Sequence, residues 1–128
     1  MTLKEAIQFW VKSANEDFIT AQVLFECQRF VHCLFFCHLF VEKILKASVV
    51  KAIHDNPPYS HKLVSLAQLS RVNFTKEQLI LIKEVTEFNL KARYDDIKLS
   101  LYKKANKDYT QNYFQKCKEL FLWLKGQI

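Results

Sequence analysis

The stretch FVHCLFFCHLFVEKILKASVVKAI, residues 30–53, decides the fold. Its first half is apolar almost all round, and its second half carries one apolar stripe that repeats every three or four residues. Such a pattern is typical of an α-helix buried in a protein core. Pro57 and Pro58 follow shortly afterwards, and proline does not continue a helix. We therefore predict that residues from Phe30 to about Ile53 form the central, most buried helix.

Apolar residues also recur at helical spacing on both sides of this segment, and each run begins at a residue type that caps helices. The first helix is expected to end near Cys27, and a short helix is expected to end before Asn73 and Phe74. The predicted helix starts are Thr2 with Glu5, Ser60 for the short helix, Thr75 with Gln78, and Asp108 with Gln111 for the last helix.

Residues 95–107 are the most polar part of the chain, and we predict that they are mostly loop or frayed helix. The chain has one glycine and two prolines, too few for the turns that a sheet protein requires. The sequence therefore predicts a single all-α domain over residues 1–128. Its expected architecture is an antiparallel up-and-down bundle of four long helices plus one short helix.

Two features of the sequence bear on its location in the cell. The amino terminus has no basic segment followed by an apolar run, so no secretory signal is expected. The most apolar stretch, from Phe30 to Val41, is shorter than the roughly 20 residues that a membrane span needs. The four cysteines are then expected to be reduced thiols. We predict a cytoplasmic protein without membrane attachment.

The net charge of +6 is unevenly distributed along the chain. Residues 91–128 carry nine basic and four acidic side chains, which is most of the excess. A basic surface attracts phosphate-bearing ligands or an acidic protein through a long-range, salt-sensitive field. A lysine-rich surface that serves only solubility is the other interpretation, and the sequence leaves both open.

Three short motifs occur in an order that resembles a known family. EKILKA, residues 42–47, ends the apolar half of the central helix; SHKL, residues 60–63, follows the Pro-Pro turn; and RY, residues 93–94, ends the next long helix. This order and spacing resemble the HEPN domain (higher eukaryotes and prokaryotes nucleotide-binding). The resemblance covers nearly the whole chain and implies a helical bundle.

The resemblance also implies a function. HEPN proteins commonly dimerise, are often encoded beside a minimal nucleotidyltransferase, and in several branches are metal-independent ribonuclease toxins. Those branches place an arginine four to six residues before a histidine. With four to six residues in between, the three corresponding positions after Arg93 are Lys98, Leu99 and Ser100, none of which exchanges protons near neutral pH as histidine does. We therefore predict no catalytic residues and a binding role.

The charged residues of the three motifs are candidates for an anion site. Arginine, lysine and histidine side chains from different helices are expected to converge on a cleft that binds a nucleotide or RNA phosphate. Glu42 is expected to orient one of these cations, and Lys43 points roughly 100° away from it on a helical wheel. The predicted ligand-binding residues are Arg93, Lys46, His61, Glu42, Lys43 and Tyr94.

A purely structural role for the same residues remains open. Glu42 would then pair with Arg93 or His61 as a polar lock between helices, because a charge that leaves water must find a partner. The two roles are compatible with each other.

A metal site is not expected from the sequence. Cys33 and Cys37 are one helical turn apart and His38 is adjacent, but structural zinc usually recruits closely spaced cysteine pairs from turns. Unpaired cysteines commonly fill protein cores. A glycine-rich phosphate loop is excluded because the single glycine is Gly126. We predict no metal and no cofactor.

Aromatic residues crowd the first two helices, with more apolar surface than one bundle face requires. We expect part of this surface to form a homodimer interface. The predicted function is a nucleotide- or RNA-phosphate-binding module that is an accessory partner of a nucleotidyltransferase. Two alternatives remain: a ribonuclease toxin that uses Arg93 with His61 or His38 as a substituted proton acceptor, and an assembly helper without a ligand.

Overall fold

A computed structural model describes residues 1–91 and 95–128, with side chains outside residues 90–99. All the regular secondary structure in these ranges is helical, as predicted, and the helices form a bundle. Four of them are long, and two are short where one was expected. The helices are α1 (Leu3–Glu26), α2 (Phe30–Ile53), α3 (Leu63–Leu69), α4 (Lys76–Lys91), α5 (Asp95–Lys104) and α6 (Lys107–Gly126).

Helix α2 is the centre of the bundle. It packs most extensively against α1 and α6 and also contacts α3 and α4. The ring of Phe40 is fully buried, with its centroid 5.4 Å from those of both Phe18 on α1 and Phe121 on α6. Aromatic contacts of this kind stabilise a fold by more than the apolar area they bury would do alone. The prediction of a central, buried helix over residues 30–53 is confirmed.

Two predicted capping boxes are confirmed. The Thr2 hydroxyl accepts the Glu5 backbone N–H at 3.1 Å and donates to the Glu5 carboxylate at 3.0 Å, which starts α1. At the start of α4 each of the two capping residues accepts the backbone N–H of the other. The Thr75 hydroxyl accepts the Gln78 N–H, and the Gln78 side-chain oxygen accepts the Thr75 N–H. The three bonds from a backbone N–H satisfy donors that the helices themselves leave unpaired.

Two other predicted caps are wrong. Ser60 accepts the Lys62 backbone N–H at 3.1 Å, so it shapes the turn before α3, which begins at Leu63 without a side-chain cap. Helix α6 is capped by Asn106, whose side-chain oxygen accepts the Tyr109 N–H at 2.9 Å. Asp108, the predicted cap, lies inside the first turn of α6.

The prediction of loop or frayed helix for residues 95–107 is also wrong, because α5 occupies most of that range. Leu101 and Ala105 are buried and lie four residues apart, so they share one face. This face packs against the bundle, and the burial of a single apolar stripe stabilises a helix that is otherwise polar.

Three turns use residues other than glycine in the left-handed region. Gln28, His54 and Arg71 have φ angles of 60°, 57° and 57°, and they follow α1, α2 and α3. A left-handed residue commonly terminates a helix, although a side chain there costs roughly 1 kcal/mol relative to glycine.

All four cysteines are free thiols; Cys27 is exposed and the other three are buried. Burial raises the pKa of Cys37, and hydrogen bonds with Cys117 and Cys33 raise it further. The three buried cysteines are part of the apolar core. Among the described residues, none of the helices has the length and hydropathy that crossing a membrane requires.

Candidate functional site

A buried carboxylate organises the polar cluster of this protein. The Glu42 side chain is only 5% exposed, and three side chains contact it. Its Oε1 lies 2.8 Å from Nδ1 of His61 and 3.2 Å from Nε2 of His38, while its Oε2 accepts from Nζ of Lys46 at 3.3 Å. We call His38, Glu42, Lys46 and His61 the Glu42 cluster.

The cluster has a local and a long-range component. His38, Glu42 and Lys46 are spaced four residues apart on α2, so the helix places them on one face. His61 lies in the segment between α2 and α3, after the Pro57-Pro58 turn. The packing of α3 against α2 brings His61 to Glu42.

The two ring nitrogens of His38 have different partners. Its Nδ1 lies 3.2 Å from the backbone carbonyl oxygen of Val85 on α4, and a carbonyl only accepts, so Nδ1 carries a hydrogen. The opposite nitrogen, Nε2, faces the Glu42 carboxylate from a ring that is completely buried. A bare lone pair against an anionic oxygen is unfavourable. The contact is therefore stabilised only when a proton or another cation lies between Nε2 and Oε1.

The charge of Glu42 is also set by its surroundings. Burial by itself would raise the pKa of Glu42, but the hydrogen bonds from His38 and His61 and the positive charge of Lys46 outweigh it and lower the pKa to about 2. The carboxylate is thus ionised at neutral pH and is the anionic centre of a group of basic side chains.

Aromatic rings flank the basic side chains. The Lys46 ammonium lies 5.2 Å from the ring centroid of Trp10 on α1 and 5.9 Å from that of Tyr59. Tyr59 is 93% exposed and its ring centroid lies 5.6 Å from that of His61, which is itself 43% exposed. The Glu42 cluster is therefore buried at His38 and open to solvent at His61, next to Tyr59.

The structure brings together some of the predicted ligand-binding residues and separates others. Glu42, Lys46 and His61 are in contact with one another through the carboxylate. Lys43 instead points to α1, where its Nζ lies 2.6 Å from Oδ2 of Asp17. Arg93 and Tyr94 lie outside the described residues, so their participation stays a prediction.

Sequence reasoning missed two neighbours of the cluster. Neither Trp10 nor Tyr59 is among the ligand-binding residues that the sequence predicted. The available signal for Tyr59 was its position directly after two prolines and two residues before His61. For Trp10 no local signal existed, because its contact with Lys46 depends on how α1 packs against α2.

A separate groove lies between α4 and α6. Its volume is about 630 Å³, and the groove contains Ile80, Glu84, Lys116 and Trp123 but no residue of the Glu42 cluster. The concave surface and the buried polar cluster are therefore distinct features of the fold.

Comparisons with known proteins found one solved structure of the same fold and one matching family. One solved structure, described as the crystal structure of TT1696 from Thermus thermophilus, superposes with a TM-score of 0.81 over 95% of this chain and 98% of that one. The sequences are 12% identical, so this likeness concerns the fold alone. No curated protein matched the sequence. The family model described as HEPN domain matches residues 7–127, almost the full length. The chain therefore belongs to the HEPN domain family.

Proposed function

We propose that this HEPN domain is a binding module for a nucleotide or RNA phosphate, with the ligand held at the open side of the Glu42 cluster. The observation that carries the proposal is the arrangement of His61. Its Nδ1 is held by a buried carboxylate at 2.8 Å, which orients the ring and leaves the Nε2 edge for a ligand beside the exposed ring of Tyr59.

The chemistry of the open side suits a nucleotide. A histidine whose Nδ1 is held by a carboxylate presents its other ring nitrogen to a ligand, and an Nε2–H there can donate to a phosphate oxygen. An exposed aromatic ring such as Tyr59 offers a stacking surface for a base, a contact worth roughly 1–3 kcal/mol per base. Arg93 remains the predicted third participant. The excess of positive charge in residues 91–128 favours encounter with an anionic ligand.

Binding titrations of ATP and of a short single-stranded RNA at low salt test this proposal. The variants His61→Asn and Tyr59→Ala should each weaken binding at least about tenfold, which corresponds to the loss of roughly 1.4 kcal/mol. His54→Asn is the matched control, because His54 is an exposed histidine at the end of α2 and asparagine tolerates its left-handed backbone. Equal binding by His61→Asn and His54→Asn would reject the proposed site.

A ribonuclease is the second candidate, and one observation favours it. A half-exposed histidine oriented by a buried carboxylate is the usual arrangement of a general base. His61 would accept the proton of a ribose 2′-hydroxyl as that oxygen attacks the adjacent phosphorus. The bond from phosphorus to the 5′-oxygen of the next nucleotide then breaks, and that oxygen takes a proton from water. RNA degradation by the pure protein that disappears in both His61→Asn and Arg93→Ala supports this candidate, and RNA left intact by the parent protein excludes it.

Two protein partners are part of the same proposal. The family resemblance suggests a nucleotidyltransferase partner for the module. A homodimer would use the outer face of α1, where Phe9, Ile19 and Val23 are each about half exposed. We also propose a cytoplasmic location, where the free thiols of all four cysteines would be stable.

A further inference from the structure

We infer that His38, Glu42 and His61 form a binding site for one divalent transition-metal ion of the zinc type. The ligand atoms would be His38 Nε2, one carboxylate oxygen of Glu42 and a ring nitrogen of His61, and these atoms all lie within 4.8 Å of one another. The sequence predicted no metal, because the grouping visible there was Cys33, Cys37 and His38, and only His38 belongs to the present site. The residues that now come together are two histidines and a carboxylate.

The first support is the orientation of the His38 ring. Its Nδ1 lies 3.2 Å from the Val85 carbonyl oxygen, so Nε2 is the ring nitrogen that faces Oε1 of Glu42, also at 3.2 Å. The ring is completely buried, and no water can separate the two atoms. A metal ion satisfies both atoms at once while the buried ring stays neutral. Metal-binding histidines generally donate their other ring nitrogen to a carbonyl or a carboxylate, as His38 does.

The second support is the spacing of the ligand atoms. Zinc lies roughly 2.0–2.2 Å from nitrogen and oxygen ligands, which places neighbouring ligands of a tetrahedron about 3.3 Å apart. The two distances to Oε1 are 3.2 Å from His38 and 2.8 Å from His61. His61 is 43% exposed, so it can move outward by about 0.5 Å at little cost to the core.

Lys46 has one favourable and one unfavourable effect on metal binding. Its ammonium donates to Oε2 of Glu42, the oxygen that the two histidines do not share, and lies against the ring of Trp10. It therefore orients the carboxylate so that Oε1 faces the histidines. Its positive charge also repels a dication, so we expect weaker binding than at a closed structural zinc site.

The ligand types define which metal fits. Two imidazoles and one carboxylate suit Zn²⁺, Co²⁺ or Ni²⁺, whereas Mg²⁺ and Ca²⁺ prefer oxygen ligands alone. Three protein ligands leave a fourth position, which would face the solvent at His61, where a water or a phosphate oxygen could bind. Metal binding thus goes beyond the proposed function and does not require a nucleotide.

The test is a calorimetric titration of the chelator-treated full chain with Zn²⁺ alone, in the absence of nucleotide. We expect saturable binding of one ion per chain, unaffected by excess Mg²⁺. His61→Asn should weaken it by about 100-fold or more, since loss of an outer partner alone commonly costs 10–100-fold. His54→Asn should leave it unchanged. Circular dichroism of both variants checks that the fold is intact.

Three outcomes would overturn the inference. The first is the lack of any saturable zinc binding, which would mean that a proton holds His38 and Glu42 together as a buried ion pair. The second is equal zinc affinity in the parent protein and in His61→Asn. The third is binding that survives in His61→Asn but is lost in Cys27→Ser, the exposed thiol, which would place the metal elsewhere. Because no nucleotide is present, none of these outcomes decides the phosphate-binding proposal.

Discussion

Replacing Glu42 with glutamine removes one negative charge from the centre of the cluster and leaves the side chain's shape almost unchanged. In the parent protein the carboxylate accepts hydrogen bonds from Lys46 and His61 and is almost fully buried. In the variant the buried Lys46 ammonium loses its ionic partner. We expect Glu42→Gln to be folded but clearly less stable at neutral pH.

The size of the loss follows from the pKa of Glu42. It is lowered from 4.5 to about 2, and each pKa unit corresponds to about 1.4 kcal/mol, so the ionised carboxylate contributes about 3 kcal/mol to folding. Breaking a buried ion pair by removing one partner typically costs about 3–5 kcal/mol, which agrees with this value at its lower end. Glutamine keeps some hydrogen bonds, so we expect a loss of about 3 kcal/mol and a decrease in Tm of about 10 °C.

The same reasoning predicts a pH dependence for the metal-free protein. The pKa of Glu42 is lower in the folded than in the unfolded chain, so its contribution is complete above pH 4.5 and is lost as the pH falls towards 2. By pH 3 about 2 kcal/mol of it should be gone. The stability difference between the parent protein and Glu42→Gln should therefore shrink by about that amount between pH 5 and pH 3.

Urea unfolding of both proteins at pH 7, 5, 4 and 3, with a chelator present, measures these differences. Glu16→Gln is the control, because Glu16 is exposed on α1 and its carboxylate should contribute within about 0.5 kcal/mol. Our account of the cluster is refuted if Glu42→Gln is as stable as Glu16→Gln at pH 7. A difference that stays constant from pH 5 to pH 3 would refute the assigned ionisation of Glu42.

Three further predictions concern the fold and the assembly. Phe40→Ala should lower the free energy of unfolding, measured in urea, by about 3–5 kcal/mol, because it leaves a cavity in the aromatic core. Phe9→Ala is the control and should lose less than about 1 kcal/mol, because that side chain is 53% exposed. Similar losses in the two variants would contradict the packing of Phe40. Asn106→Ala should lower the stability of the fold by about 1 kcal/mol and Asp108→Ala by only about a few tenths, because Asn106 is the N-cap of α6. The reverse order in thermal melts would show that Asp108 is the cap, as the sequence predicted. Ile19→Glu should convert a dimer into a monomer in light scattering, while a parent protein that is already monomeric would exclude the α1 interface.

The helices that bury a continuous apolar stripe were the predictable part of this fold. The bounds predicted for α2 match the structure, and α1 ends one residue before Cys27 as expected. The start of α6 was misplaced because Asn106 and Asp108 are both good capping residues, and local sequence does not distinguish them. Burial of Ala105 extends the preceding segment to that residue and so selects Asn106. The sequence did not predict helix α5, because the stability of this helix comes from its packing against the bundle and not from helix propensity.

Within the candidate site, periodicity alone aligns Glu42 with Lys46, since residues four apart lie on the same face of a helix. The contact of His61 with Glu42 was one of several pairings that the motifs allowed, and the packing of α3 on α2 is what produces it. The bond from His38 to the Val85 carbonyl had no sequence signal, because any backbone carbonyl can accept and only the position of α4 selects one. Spacing along a chain encodes which side chains share a helix face. Which groups meet across helices, and therefore which nitrogen of His38 faces the Val85 carbonyl and which faces Glu42, depends on how the helices pack.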